Sequence, residues 1–361
     1  MVTISFLGDI SLNDKYNELY LNGDNPFDNV KQILFNSDFV VGNLECLAKG
    51  VHGENLLKKP RLKTNLDTLN YLKDLNLGIV SLAHNHIYDN LRDGYEKTID
   101  LLDKNNIRHL GSGLSETIAK KPIIIEINNI KFCFLNYVTH DTNPSLPNDA
   151  DIYLNWFDEN NICNEINQYK NQVDHIIILL HWGGKLEGGY YPDFDQPHLA
   201  HRLVDAGADL IIGTHSHTLQ PYEIYNGKYI FYSLGNFCFA DVYSDNKLIE
   251  INQKKGTESI ILNVLFKKDS YSIKFFPIKN KNLHIEIDNK IIKKYKIRLF
   301  YYKFIKNIKI FWYLYYFKFK KIDPIIFYFF GNNHNFFNQL KLLNFDKIKR
   351  FIKKFHELNK R

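Results

Sequence analysis

Short apolar runs at residues 2–7, 39–44, 79–83, 175–181 and 208–212 predict five strands, and their near-continuous hydrophobicity predicts sheets covered on both faces. Between them the apolar positions change to helical spacing. Leu66, Leu69, Leu72 and Leu75 mark a helix that Thr64 would cap and that would end near Gly78. Further helices are predicted at 93–105, 158–172 and 197–207, the last opened by Pro197 and closed by Gly207. Asn128-Asn129 and Asn226-Gly227 each stand between two apolar runs, the pattern of a tight hairpin, and strands at 259–266 and 271–277 follow. The first two-thirds of the chain alternate strand and helix, whereas residues 219–288 are mostly antiparallel. Mixed sheets covered by helices satisfy that order.

The exits of the predicted strands carry a second pattern that hydrophobicity does not require. Gly8-Asp9 places a carboxylate where the first strand gives way to a loop, and Glu45 lies just beyond the second. Asn85 and His86 follow the third, with Asp89 close behind. His181 ends the most apolar strand, with Glu187 within reach, and His215 and His217 follow the fifth. In an extended segment side chains two apart share a face, so His215 and His217 are expected to approach one spot. Ligands of α/β sheets gather at the carboxyl ends of the strands.

Taken singly, each residue has a plainer role: Asp9 can stabilise a turn, Asn85 cap a helix, His181 sit satisfied in a core and Glu187 be solvated. Taken together, carboxylates, imidazoles and an amide oxygen suit Mn²⁺, Fe²⁺ or Zn²⁺ rather than copper or calcium. A pair of such ions can hold both an attacking water and a phosphoryl oxygen. His84 should point away from the Asn85-His86 pair and take a packing or surface role rather than that of a ligand. Trp182, together with Gly235 and Asn236 in the 232–237 turn, is expected to shape the pocket wall, with core packing the competing role.

Composition changes this picture in two places. Four well-separated cysteines, Cys46, Cys133, Cys163 and Cys238, suggest neither a disulfide framework nor a thiolate zinc site. Charge is distributed unevenly: from Ile291 onward there are 18 Lys/Arg against 3 Asp/Glu, leaving 28 against 37 for residues 1–290. The reading is therefore two regions, a domain at 1–288 and a basic, aromatic, helical extension at 289–361.

Gly8-Asp9, Gly42-Asn-Leu-Glu45, Ala83-His-Asn-His86 with Asp89, His181-Trp-Gly183, Gly213-Thr-His-Ser-His217 and Ser233-Leu-Gly-Asn-Phe237 together resemble the CapA (poly-γ-glutamate capsule synthesis) family, which is similar to the calcineurin-like metallophosphoesterases. The resemblance covers roughly residues 1–245. It implies a four-layer α/β/β/α sandwich of mixed sheets with a two-metal site. Asp9 and His217 would hold one ion, Asn85, His181 and His215 the other, Glu45 would bridge them, and His86 would act as general acid or stabilise the leaving group. Metallophosphoesterases usually carry a histidine two residues after the first aspartate. Ser11 stands there in this chain, which implies that one of the two ions is weakly held or absent.

The resemblance implies a bacterial metal-dependent hydrolase of phosphoesterase type acting in capsule, exopolysaccharide or poly-γ-glutamate biosynthesis, on a phosphoester or an anionic polymer. The alternative is a non-catalytic component of a polymer synthesis or export complex, binding capsule-synthesis proteins or polymer through the same pocket. In the extension, 21 aromatic residues lie among the lysines. That interleaving suits an anionic membrane surface or polymer. A helical subdomain packed on the main domain is the plainer account, and nucleic acid is the least favoured partner. The N-terminus shows no signal-peptide pattern and no run long enough to span a bilayer, so a cytoplasmic protein, peripheral at the inner face of the membrane, is expected.

Overall fold

The strand Val2–Ile10 lies near the middle of an eight-stranded sheet. Phe39–Leu44, Leu77–Ser81 and Arg108–Leu110 extend the sheet in parallel on one side, and Glu258–Phe266, Tyr271–Lys281 and His284–Ile287 extend it antiparallel on the other. Asn236–Cys238 pairs in parallel with the carboxyl end of Val2–Ile10. A second, six-stranded sheet has Ile130–Val138, His175–His181, Leu210–Thr214 and Lys228–Phe231 parallel at its centre. Its edges are closed by Ile123–Ile127 and Tyr222–Tyr225. Both edge hairpins turn through left-handed residues, Asn128 and Asn129 in one and Asn226 and Gly227 in the other, as the sequence predicts. The computed structural model describes residues 1–244, 247–250, 254–323 and 326.

The two sheets pack face to face. Ile4, Phe6, Val41 and Ile79 of the first meet Phe134, Ile177, Leu179 and Leu210 of the second in one buried cluster. On the outer face of the first sheet, Tyr16, Val30, Leu34 and Leu102, from the helices Lys15–Leu21, Asp28–Phe35 and Leu91–Lys104, cover Ile10, Val40 and Val80. On the outer face of the second, Ile162, Ile166 and Leu203, from Glu159–Tyr169 and Gln196–Ala206, cover Leu135, Ile178 and Ile211. The layers run α/β/β/α. Strands buried on both faces explain the continuous apolar runs.

Two local readings change. The leucine-spaced segment is a 3₁₀ helix at Asp67–Leu75 that Thr64 does not cap, since the Thr64 hydroxyl donates to Asn17 Oδ1 at 3.0 Å. Left-handed Asn76 ends that helix, and Gly78 sits inside the next strand, where a Cβ would stand 2.9 Å from the Phe39 ring.

The chain divides into two units, Met1–Lys303 and Phe304–Arg361. Composition changes near residue 289, but Ile291, Tyr295, Arg298 and Tyr302 of the helix Lys290–Asn307 are buried, which carries the first unit on to Lys303. The described part of the second unit holds the helix Lys309–Phe317 and a wider π turn at Lys318–Ile322. The rest of the segment expected to be helical lies outside the described residues. No helix among the described residues is long and apolar enough to cross a membrane.

Candidate metal centre

Every residue singled out at a strand exit lies on one rim, where carboxyl ends of parallel strands from both sheets meet. Asp9 is inside its strand rather than in the loop after it. There its N–H donates to Gly235 O at 3.0 Å, an approach open only because Gly8 has no Cβ, which would stand 1.7 Å from that oxygen. Asp9 Oδ1 accepts from Asn43 Nδ2 at 2.9 Å, and Asp9 Oδ2 accepts from the His215 N–H at 3.3 Å. Glu45 directly follows Phe39–Leu44, with its N–H donating to Ile10 O at 3.0 Å. His181 is the last residue of its strand; its Nε2 lies 3.0 Å from Asn85 Oδ1 and 3.1 Å from His215 Nδ1.

The histidine pair reaches the site by a different route from the one expected. The strand stops at Thr214, and His215 and His217 adopt φ of 89° and 57°. A turn, not an extended segment, makes the two rings converge. Left-handed backbone at a non-glycine residue costs on the order of 1–3 kcal/mol and persists only where the surroundings impose it. Glu45, His215 and His217 each offer one donor atom, and all three atoms lie within 4.8 Å of one another.

Glu45 is fully buried, and neither of its carboxylate oxygens has a hydrogen-bond partner. Its Oε1 faces His86 Nε2 at 3.8 Å, His217 Nε2 at 3.8 Å and His181 Nε2 at 4.0 Å. Burial, and then the nearby Asp9 carboxylate, push Glu45 well above the usual carboxylate range; burial also raises Asp9. An ionised carboxylate without partners costs several kcal/mol at such a position, a cost that either a proton or a bound cation offsets, and the oxygen and imidazole donors around it fit a divalent ion. Burial lowers His215 to about 4 and holds His181 well below the usual imidazole range, leaving both neutral and able to donate a lone pair. His215 Nε2 has no partner. At His217, burial would lower the pKa, but Glu45, Asp9 and Glu187 together outweigh it and bring the ring up to about 9. His217 Nδ1 lies 2.9 Å from Asn236 Oδ1 and 3.6 Å from Asp9 Oδ2. Donation to the Asn236 oxygen turns Nε2 toward Glu45.

His86 faces the same carboxylate from the other side. Its Nδ1 is 2.5 Å from Asp89 Oδ2, which orients the ring and leaves Nε2 directed at the site. His84 is fully buried; its Nδ1 accepts the His86 N–H at 3.1 Å, the packing role expected of it. Glu187 stands at the rim, its Oε1 3.8 Å from His217 Nε2. Trp182 lies in the second sheet's outer core, where its Nε1 donates to Tyr232 O at 2.9 Å. Ser11 directs its hydroxyl to Asn13 Oδ1 at 2.7 Å.

Two residues escaped the sequence reading. Asn43 links Asp9 to Ser81, whose hydroxyl donates to Asn43 Oδ1 at 2.9 Å. Its position two before Glu45 in a strand was the available signal. Lys58 is buried beside Asp89, 3.7 Å from Oδ1, and donates to the Asn85 carbonyl. It comes from a loop with no periodic pattern, and nothing in the sequence marks it.

Two face-to-face mixed sheets between helices, with imidazoles and partnerless carboxylate oxygens at adjoining strand ends, define an α/β sandwich with a candidate metal centre. The chain belongs to the bacterial capsule synthesis protein family PGA_cap, whose model matches residues 3–241. The PGA biosynthesis protein CapA of Bacillus subtilis (strain 168) is 31% identical over 273 residues, covering 71% of this chain and 69% of that one. The capsule biosynthesis protein CapA of Bacillus anthracis is 27% identical over 277 residues, covering 72% and 66%. The chain thus spans about two-thirds of the length of these relatives. Solved structures similar to it include a 5′-nucleotidase precursor from Thermus thermophilus, with TM-score 0.44 and 13% identity over 82% of this chain and 58% of that one. Another is the NAD nucleotidase of Haemophilus influenzae, with TM-score 0.46 and 15% identity over 83% and 62%.

Proposed function

We propose that the protein is a divalent-metal-dependent hydrolase of phosphoesterase type, acting on a phosphoester or related bond in an anionic capsule polymer or its precursor; if the polymer is the poly-γ-glutamate that its relatives' names suggest, the bond in the polymer itself would be a γ-glutamyl amide. The observation that carries this reading is the Glu45 carboxylate, fully buried with both oxygens lacking partners and surrounded by imidazole nitrogens. Asn85, His181 and His215 would hold one ion, Asp9 and His217 a second, and Glu45 would serve both. Mn²⁺, Fe²⁺ and Zn²⁺ match these donors. When bound, such an ion supplies Lewis acidity and a nucleophilic water near neutral pH.

The chain's own residues would do the remaining work. His86, oriented by Asp89, presents Nε2 to a leaving-group oxygen; burial lowers its pKa and the Asp89 carboxylate opposes that, and it would donate the proton there in its imidazolium form. Asn43 fixes the Asp9 carboxylate, and Asn236 fixes the orientation of the His217 ring. The test is metal analysis and a screen of phosphoesters and γ-glutamyl peptides with the purified full chain. Glu45→Ala and His215→Ala should lose bound metal and at least about 100-fold of any activity found. Folded variants that match the wild type on both counts would sink the proposal.

One observation favours the second reading, a non-catalytic component of a capsule synthesis or export complex: Ser11, at the position of a usual ligand, spends its hydroxyl on Asn13. Absence of metal after metal-replete growth would select that reading.

The basic segment belongs to the proposal as a contact with anionic membrane. Phe311, Leu314 and Phe317 of the helix Lys309–Phe317 are exposed at 42%, 58% and 53% in a segment rich in lysine. Rings entering the interface while cations meet lipid headgroups would give reversible peripheral binding. The full chain carrying Phe311→Ser and Leu314→Ser should bind phosphatidylserine vesicles at least about ten-fold more weakly, as sedimentation would show. Unchanged binding would remove the segment from this role.

A further inference from the structure

The turn that carries His215 and His217 holds two strained residues, and its hydrogen bonds lead to an unexpected support. Thr218 Oγ1 donates to Gly189 O at 2.5 Å, and Gln220 Nε2 donates to the same oxygen at 3.0 Å. The Gly188 N–H donates back to Ser216 O at 2.9 Å. The loop that carries Glu187 is therefore tied to the histidine turn. Both are held from behind by the helix Lys290–Asn307. Arg298 Nη1 donates to Leu219 O at 3.1 Å, and its Nη2 donates to Glu258 Oε2 at 3.0 Å. Its guanidinium lies over the Tyr190 ring, 4.0 Å from the centroid. Tyr295 OH donates to Gln220 O at 3.0 Å. Arg298 and Glu258 are 8% and 3% exposed, so this is a buried ion pair satisfied at both ends.

From this geometry we propose that Arg298 is a positioning residue for the candidate metal centre: the first turns of the basic helix clamp the His215–His217 turn and the Glu187 loop in the geometry the centre requires. Only a planar, forked cation can meet the Leu219 carbonyl, the Glu258 carboxylate and the Tyr190 face together. Leu219 and Gln220 are the second and third residues after His217, too close to it for play in one to leave the other unmoved. The basic segment, whose composition suggested a separate appendage, would in its first turns be a structural part of the site. The metal arm of the proposal rests on the reading of the site as a metal centre.

The test uses the full chain with Arg298→Ala, Arg298→Lys and a control, Lys294→Ala. Lys294 pairs with Glu258 from the exposed side and touches neither the turn nor the loop in the bonds described. Two quantities are read: hydrogen exchange in metal-free protein, peptide by peptide, and Mn²⁺ affinity by titration calorimetry. In both Arg298 variants, exchange should rise at least about ten-fold across 186–191 and 214–220 but not in the strand at 130–138, and Mn²⁺ affinity should fall about 10- to 100-fold, the usual cost of losing an outer-shell support. Lys294→Ala should change neither. Uniform loosening of the whole domain, or wild-type exchange at both segments in a folded Arg298→Lys protein, would overturn the proposal, and the lysine variant decides if Arg298→Ala fails to fold. If the wild type binds no Mn²⁺, the metal reading falls, while the exchange data still decide the clamp.

Discussion

The two sides of the candidate centre differ in how strongly their imidazoles hold protons. On one side Asn85, His181 and His215 bring donor atoms within 3.0 and 3.1 Å of His181 Nε2, and burial keeps both imidazoles neutral. On the other side Asp9 and His217 stand 3.6 Å apart, His217 rises to about 9 among carboxylates, and Ser11 is turned to Asn13. The two sides share donors, since one atom each of Glu45, His215 and His217 lies within 4.8 Å of the others; what separates the sides is how strongly their imidazoles hold protons. Where an imidazole and two acidic groups draw on the same protons, a metal ion would have to compete with those protons. The difference teaches that burial and neighbouring carboxylates can set imidazoles a few ångströms apart to opposite sides of the ordinary histidine range.

Three experiments would break or sharpen this contrast. The largest effect is expected from His181→Ala set against His217→Ala. The first should abolish tight metal binding, a loss of more than about 100-fold, whereas the second should leave one ion per chain bound. Equal losses in the two variants, by elemental analysis and calorimetry, would erase the asymmetry. Next comes His86→Gln, which should lower kcat about 10²- to 10⁴-fold on a substrate with a poor leaving group while metal content stays at the wild-type level. A variant that lost metal instead would make His86 a ligand. The smallest effect is expected from Ser11→His: with a donor restored, affinity for a second ion should rise by about ten-fold, visible as an added binding step. If the titration kept its single step, the weakness of that half would have to lie elsewhere than residue 11.

Much of this could be read from residue order because parallel strands fix their own geometry. A run buried on both faces must be covered by helices, and its carboxyl end must open on the ligand-bearing rim. Asp9, Glu45, Asn85, His86, His181, His215 and His217 could be picked out on that ground. The His-Ser-His turn was legible in position but not in conformation. No local pattern marks its left-handed φ values, and the hydrogen bonds of the neighbouring residues run to Gly188, Gly189 and Arg298, about 27 and 80 residues away. Lys58 left no trace in the sequence, because burial of a loop lysine depends on Asp89 and the Asn85 carbonyl happening to face it.

The chain's own sequence determined the strand order of residue types, the hairpins at Asn128-Asn129 and Asn226-Gly227, and the set of candidate donors, since each follows from local pattern. Tertiary structure alone decided which donors converge and which helix packs behind the histidine turn. Those outcomes depend on side chains meeting across two sheets and a returning helix, and no local pattern records such meetings.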